Sequence, residues 1–309
     1  MPGLPNDFGG IVPPVCTPMT EDFEVDTASL ERLIGFLLDA GVHGLFMLGS
    51  TSETVFLTDR QRATALDVAV RTAGGKVPVL AGVIDMTTAP SLEHARIAAH
   101  AGVDALVLTA PFYTRASQDE IVAHFRTIQI AIGLPIMAYD IPSAVHVKIE
   151  RATVMRMAAE GLIAGLKDSS GDEANFRGLV MDARALPGFA AFTGSELLVD
   201  AALLLGADGS VPGLGNVDPA GFVRIYDAAR AGDWQRARAE QERLYRLFSI
   251  IYGGIPGRMG FTASALGGFK TALMLRGVIA TNVIGRPLTR YTAEEVERVR
   301  QVLVEAELL

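Results

Sequence analysis

Lys167 closes the apolar run Leu162-Ile163-Ala164-Gly165-Leu166, and the polar turn Asp168-Ser169-Ser170-Gly171 follows at once. Such a run has the length and composition of a strand buried on both faces of a parallel sheet. A lysine is rarely buried unless a partner or a reaction uses it. Loss of solvation disfavours the charged form of an amine, and an uncharged amine is a nucleophile near neutral pH. The competing reading has Lys167 extend to solvent or pair with Asp168. The chain holds only four lysines among its 27 basic residues, the others being Lys76, Lys148 and Lys270. Lys76 follows a Gly-Gly turn and Lys270 lies near the C-terminus in a helical stretch, so both are expected to be solvated.

The elements that must position Lys167 follow from periodicity. Short apolar runs are expected as strands at 11–15, 44–48, 77–83, 105–109, 135–139, 162–167, 189–193 and 208–211. Amphipathic stretches fill the intervals, many opened by Ser, Thr or Asp and closed by Gly. Eight strand–helix alternations within residues 1–232 predict a (β/α)8 TIM barrel in the α/β class. Residues 233–309 read as helix only and form an expected C-terminal helical extension. A composition of 50% hydrophobic residues with 32 glycines suits a large core and many tight turns.

Barrel sites form at the C-terminal ends of the strands. Those ends carry Thr17, then Ser50, Thr51 and Glu53, then Asp85, Tyr113, Tyr139, Lys167, Gly194 with Ser195, and last a glycine-rich loop after Val211. An amine, two phenols, hydroxyls and backbone N–H groups suit Schiff-base chemistry on a 2-oxo acid: the amine attacks the ketone, a phenol shuttles protons, and the hydroxyl and N–H donors hold the carboxylate. Taken singly, each hydroxyl is as readily a loop or helix cap. The carboxylates lack metal-ligand spacing, the five histidines are scattered, and Cys16 is the only cysteine. No metal, no separate cofactor and no disulfide is therefore expected. Gly213-Leu214-Gly215 reads as a turn, since no Arg or Lys accompanies it for a phosphate. Arg258, in a glycine-rich loop, is left open as a residue that could approach the pocket.

A net charge of −8 argues against nucleic acid as a partner. No uninterrupted apolar stretch approaches about 18 residues, and MPGLPNDFGG lacks a basic region followed by an apolar core. The expectation is a soluble cytoplasmic protein with no membrane partner and a small-molecule substrate.

Four segments carry a resemblance: GSTSE at 49–53, PFYTRASQ at 111–118, YDIPS at 139–143 and GLKDSSGD at 165–172. Together, in this order, they resemble the dihydrodipicolinate synthase / N-acetylneuraminate lyase superfamily of class I, pyruvate-dependent aldolases. The resemblance covers nearly the whole chain. It implies that Lys167 forms the imine with pyruvate and Tyr139 relays protons. It implies that Ser50 and Thr51 hold the carboxylate while Gly194 and the Val211 carbonyl line the pocket. It also implies that Tyr113 crosses a tight dimer interface to complete a neighbour's relay, within a homotetramer built from such dimers.

Departures bear on the second substrate. Ala144 stands where the synthase has an arginine, the residue suited by its bidentate fork to a second carboxylate. Ser50 resembles the sugar-acid branch. Asp140 replaces the usual asparagine, and Ser52 the usual glycine. The leading expectation is reversible cleavage of a 2-oxo-3-deoxy sugar acid or a similar hydroxylated 2-oxo acid. The alternatives are 4-hydroxy-tetrahydrodipicolinate synthase activity, condensing pyruvate with aspartate semialdehyde, a dehydratase sharing the imine, and a non-catalytic 2-oxo acid sensor.

Overall fold

The computed structural model describes Pro5 and residues 8–309. The remainder of the N-terminal stretch read for a leader lies outside the described residues. Eight parallel strands run in the order β1-β8-β7-β6-β5-β4-β3-β2. They are β1 Gly10–Ile11, β2 Leu45–Met47, β3 Val79–Gly82, β4 Ala105–Thr109, β5 Ile136–Asp140, β6 Gly165–Asp168, β7 Ala190–Thr193 and β8 Gly209–Ser210. The ring closes where the chain just past β1 meets β2, through a parallel bridge between Pro14 and Phe46. The expected first strand is cut short because Pro13 and Pro14 have no N–H to donate. Pairing continues through the donors that remain, Val15 N to Phe46 O at 2.8 Å and Phe46 N to Pro13 O at 3.0 Å.

Among the described residues, nine helices alternate with the strands or lie between them: α1 Thr27–Asp39, α2 Asp59–Ala73, α3 Thr88–Ala101, α4 Gln118–Ile132, α5 Pro142–Val145, α6 Arg151–Ala159, α7 Glu173–Ala183, α8 Val199–Leu205 and α9 Pro219–Arg230. α5 is a single turn. Pro142 begins it, where a missing N–H costs nothing. Local signals set the ends elsewhere: Thr58 and Gln61 form a capping box on α2, Ser117 and Glu120 one on α4, and Gly74 and Gly133 close these helices in the left-handed region. The tail forms α10 Trp234–Leu247, α11 Phe261–Leu275 and α12 Ala293–Glu305. Ala237, Leu244, Phe269, Leu273, Val299 and Leu303 join the same apolar cluster as the barrel helices.

Strand alternation divides the core. Phe46, Leu80, Val107, Met137, Tyr139 and Phe192 form a cluster inside the ring, with Val12 and Val211. Leu45, Leu106, Ala138 and Leu166 pack outward against the helices. On β6 the rule sends Lys167 inward and its neighbour Asp168 outward. That geometry rules out the Lys167–Asp168 pair entertained from the sequence. Gly82 is required by close approach, since a Cβ there would sit 2.1 Å from the Leu48 carbonyl oxygen. No described helix is long and apolar enough to cross a membrane.

Candidate active site

Tyr139 and Lys167 are paired residues in the β5–β6 register. Lys167 is 4% exposed and Tyr139 3%. The Lys167 Nζ lies 4.0 Å from the centre of the Tyr139 ring and 5.1 Å from that of Phe46. Among the described residues it has no hydrogen-bond acceptor and no ion-pair partner, so the amine sits against aromatic faces with its donors unused. The Tyr139 hydroxyl lies 3.5 Å from Ser50 Oγ. Val211 shares the apolar lining around Lys167. Gly194 follows β7, its N–H donating to the Asp168 carbonyl at 2.7 Å. A Cβ at Gly194 would fall 2.0 Å from Ser169 Oγ and 3.1 Å from the Asp168 carbonyl oxygen, so a larger residue would have to displace the Ser169 hydroxyl at the end of β6.

The Gly49–Glu53 turn presents the candidate carboxylate donors. Ser52 N and Thr54 N both donate to Gly49 O, at 3.1 and 3.3 Å, and Glu53 N donates to Ser50 O at 3.1 Å. Ser52 Oγ accepts from Gly49 N at 3.1 Å, and Thr17 Oγ1 donates to Ser52 O at 2.8 Å. Thr17 is thus a buried brace under the turn. The N–H groups of Ser50 and Thr51 donate to no other described residue, which leaves them free for an anion.

Lys270 overturns its expectation. It is fully buried and its ammonium pairs with the Glu53 carboxylate, itself fully buried. Lys270 Nζ also donates to Val283 O at 2.8 Å, and Glu53 Oε2 accepts from Gly285 N at 2.6 Å. Glu53 is therefore an anchor tying the Ser50–Thr51 turn to α11. The small residues of Ala265-Leu266-Gly267-Gly268 let α11 approach closely enough to bury the lysine. A Cβ at Gly268 would meet the Ile250 carbonyl oxygen at 2.4 Å.

Glu196 is a site residue that sequence reasoning missed. It lies in the loop before α8, which begins only at Val199. Its carboxylate turns onto the glycine-rich loop, accepting from Leu214 N. Burial pushes this carboxyl up to about 7, against the pull of the Gly213 and Leu214 N–H groups and of Lys167. The loop's donors are thus occupied by Glu196. The one available signal was its place two residues beyond Gly194. Asp85 binds His94 Nε2 at 3.0 Å and lies 3.9 Å from Arg62. Arg258 pairs with Glu295 and donates to Arg290 O at 3.0 Å. Tyr113 lies apart from the cluster in its own chain. It is 89% exposed, on a backbone held at φ 72°. Burial pushes the Cys16 thiol up to about 12, which leaves it unreactive.

Beside Ser50 opens a cavity of about 370 Å³, whose wall includes Thr109, Phe112, Ile141, Ala144 and Thr262. No ionisable side chain lines it. Among the described residues no group of three or more His, Cys, Asp or Glu could hold a metal ion.

The structure is a (β/α)8 barrel with an inward lysine beside a tyrosine on the neighbouring strand. The comparisons narrow the class. A family model, the dihydrodipicolinate synthetase family, matches residues 7–306. The chain belongs to that family and is a carbon–carbon lyase of the class I aldolase type. A 4-hydroxy-tetrahydrodipicolinate synthase of Exiguobacterium sibiricum is 36% identical over 249 residues, covering 80% of this chain and 84% of that protein. An uncharacterized DapA-like lyase of Halobacterium salinarum is 34% identical over 275 residues, covering 89% and 86%. Among solved structures, a prophage protein of the dihydrodipicolinic acid synthase family from E. coli K12, in complex with pyruvate, superposes with a TM-score of 0.91 at 27% identity, covering 98% and 99% of the two chains. A monomeric dihydrodipicolinate synthase variant superposes with a TM-score of 0.90 at 25% identity, covering 98% of each chain.

Proposed function

We propose that the chain joins pyruvate to a neutral aldehyde, and splits the product, through an imine on Lys167. The observation that carries this is the buried, unpaired Lys167 amine held 4.0 Å from the centre of the Tyr139 ring. The Lys167 amine adds to the pyruvate ketone, the carbinolamine loses water, and the imine forms. Loss of a C3 proton gives the enamine, whose C3 bonds to the aldehyde carbon while the aldehyde oxygen takes up a proton. Water then releases the 2-oxo acid and restores the amine; cleavage is the reverse. Tyr139 moves the protons, its hydroxyl donating and accepting through Ser50. The free N–H groups of Ser50 and Thr51 hold the pyruvate carboxylate. Gly194 keeps the ends of β6 and β7 close, and Val211 closes the apolar side of the pocket.

Tyr113 acts in a second copy of the chain. Its exposure and its left-handed backbone support this: a bulky residue held in that region stores about 1–3 kcal/mol of strain, which persists when the position has a use. On this reading the working particle contains tight dimers, and the homotetramer is the expected assembly.

For the aldehyde, the cavity beside Ser50 carries hydroxyls and apolar groups but no cation. That supports an uncharged, hydroxylated partner, and so cleavage of a 2-oxo-3-deoxy sugar acid over synthase chemistry on aspartate semialdehyde. The test is a screen of the purified protein with pyruvate against neutral hydroxyaldehydes and aspartate semialdehyde, with Lys167→Ala as control. Condensation with the neutral aldehydes, lost in Lys167→Ala, supports the reading. A preference for aspartate semialdehyde moves it to the synthase.

A further inference from the structure

The strand positions after the reacting pair carry two buried carboxylates. Asp140 follows Tyr139, Asp168 follows Lys167, and the two are register partners. By strand alternation both point away from the barrel interior. They are 1% and 6% exposed. Asp140 Oδ1 accepts from Ile149 N at 3.0 Å, and Asp168 Oδ1 from Ser170 N at 2.8 Å. Their second oxygens share one cation. Lys148 Nζ pairs with Asp140 Oδ2 and lies 3.9 Å from Asp168 Oδ2, which has no hydrogen-bond partner.

Lys148 is itself held in place. The Gln118 side chain, on the first turn of α4, donates to the Lys148 carbonyl at 2.9 Å and accepts from Glu150 N at 3.1 Å. The clamp fixes the segment that brings the ammonium over the two strand ends. Asp140 stands where the resembling motif has asparagine, and Lys148 bridges the carboxylate this adds to Asp168.

We propose that Lys148 is a positioning residue for the imine-forming lysine: it ties the ends of β5 and β6 together and neutralises the carboxylates behind the reacting amine. This rests on the reading that Lys167 forms the imine. The groups that face Lys167 or lie next to it are Tyr139 on β5, Glu196 from the loop after β7, and Asp140, Asp168 and Lys148 behind the strand ends. The two carboxylates lie one residue along from the reacting pair, on the opposite face of the sheet and buried, so their net charge acts on Lys167 through the strand ends rather than through solvent. With Lys148 removed, unbalanced negative charge favours the ammonium form of Lys167, and only the free amine adds to a ketone. With Asp140 neutralised and Lys148 kept, the balance shifts the other way.

The experiment measures the initial rate of pyruvate adduct formation on Lys167, trapped with borohydride, from acid to alkaline pH. It compares wild type, Lys148→Met, Lys148→Arg, Asp140→Asn and the charge-balanced Asp140→Asn/Lys148→Met. The expected result is an acid limb raised in Lys148→Met, lowered in Asp140→Asn, and returned towards wild type in Lys148→Arg and in the double variant. A merely structural role slows trapping without moving the limb in opposite directions. Unmoved limbs, or a double variant displaced as far as Lys148→Met, overturn the proposal. Should Lys148→Met fail to fold, the downward shift in Asp140→Asn and its reversal in the double variant decide the matter. A wild-type protein that takes no adduct on Lys167 defeats the aldolase reading itself, a different result from unmoved limbs.

Discussion

Replacing Lys270 by methionine keeps the length of the side chain and removes its charge. The partner, Glu53, is fully buried and keeps only the Gly285 N–H at 2.6 Å. Breaking one half of a buried ion pair leaves an uncompensated charge and costs about 3–5 kcal/mol. For a chain of this size each kcal/mol moves the melting temperature by about 2 °C, so a fall of roughly 6–10 °C is expected. A solvated lysine would change stability by no more than about 0.5 kcal/mol. Differential scanning calorimetry, with urea unfolding as a second measure, separates the two. The same loss frees the Ser50–Thr51 turn, so the KM for pyruvate rises more than kcat falls. Adding Glu53→Gln removes the orphaned charge while keeping an acceptor for Gly285 N, and part of the lost stability returns. A Lys270→Met melt within about 1 °C of wild type, or a double variant less stable than the single, would refute the reasoning.

Tyr139→Phe leaves the apolar packing but removes the proton relay, so turnover falls by about 10²–10⁴-fold while the melting temperature holds; steady-state kinetics beside calorimetry check this. Ala144→Arg places a cation at the wall of the cavity beside Ser50. Condensation with aspartate semialdehyde should improve over wild type, and no gain removes the missing clamp as the barrier. Glu196 sets a pH dependence. With its carboxyl pushed up from 4.5 to about 7, the folded state binds more protons than the unfolded state across that window. Wild-type stability therefore falls as pH rises from 4.5 to 7 on this group's account. Glu196→Gln removes that slope, so its stability relative to wild type climbs through the same window in melts at graded pH.

The barrel was legible because each strand is a short apolar run bounded by glycine or a cap, and the ends of the runs named the inward lysine and tyrosine. The Ser50–Thr51 turn and Gly194 were legible as positions at strand ends, though their hydrogen bonds were not. What escaped was long-range. Lys270 and Glu53 meet across more than two thirds of the chain, and α11 reads locally as a helix with an ordinary polar residue. Lys148 drew no role from the sequence because its partners are set by the β5–β6 register. Glu196 escaped because its acceptor role depends on a loop nearly twenty residues further on. In each case a buried charge found its partner through the fold, and spacing along the chain carries no record of that.

The central claim is that Lys167 is the nucleophile. Incubation of the purified protein with pyruvate, reduction with borohydride and peptide mass mapping tests it most directly. A reduced pyruvyl adduct on Lys167, absent from a folded Lys167→Ala variant, is the predicted result. An adduct on another lysine, or no adduct from a folded protein that still binds pyruvate, would contradict it and favour the sensor.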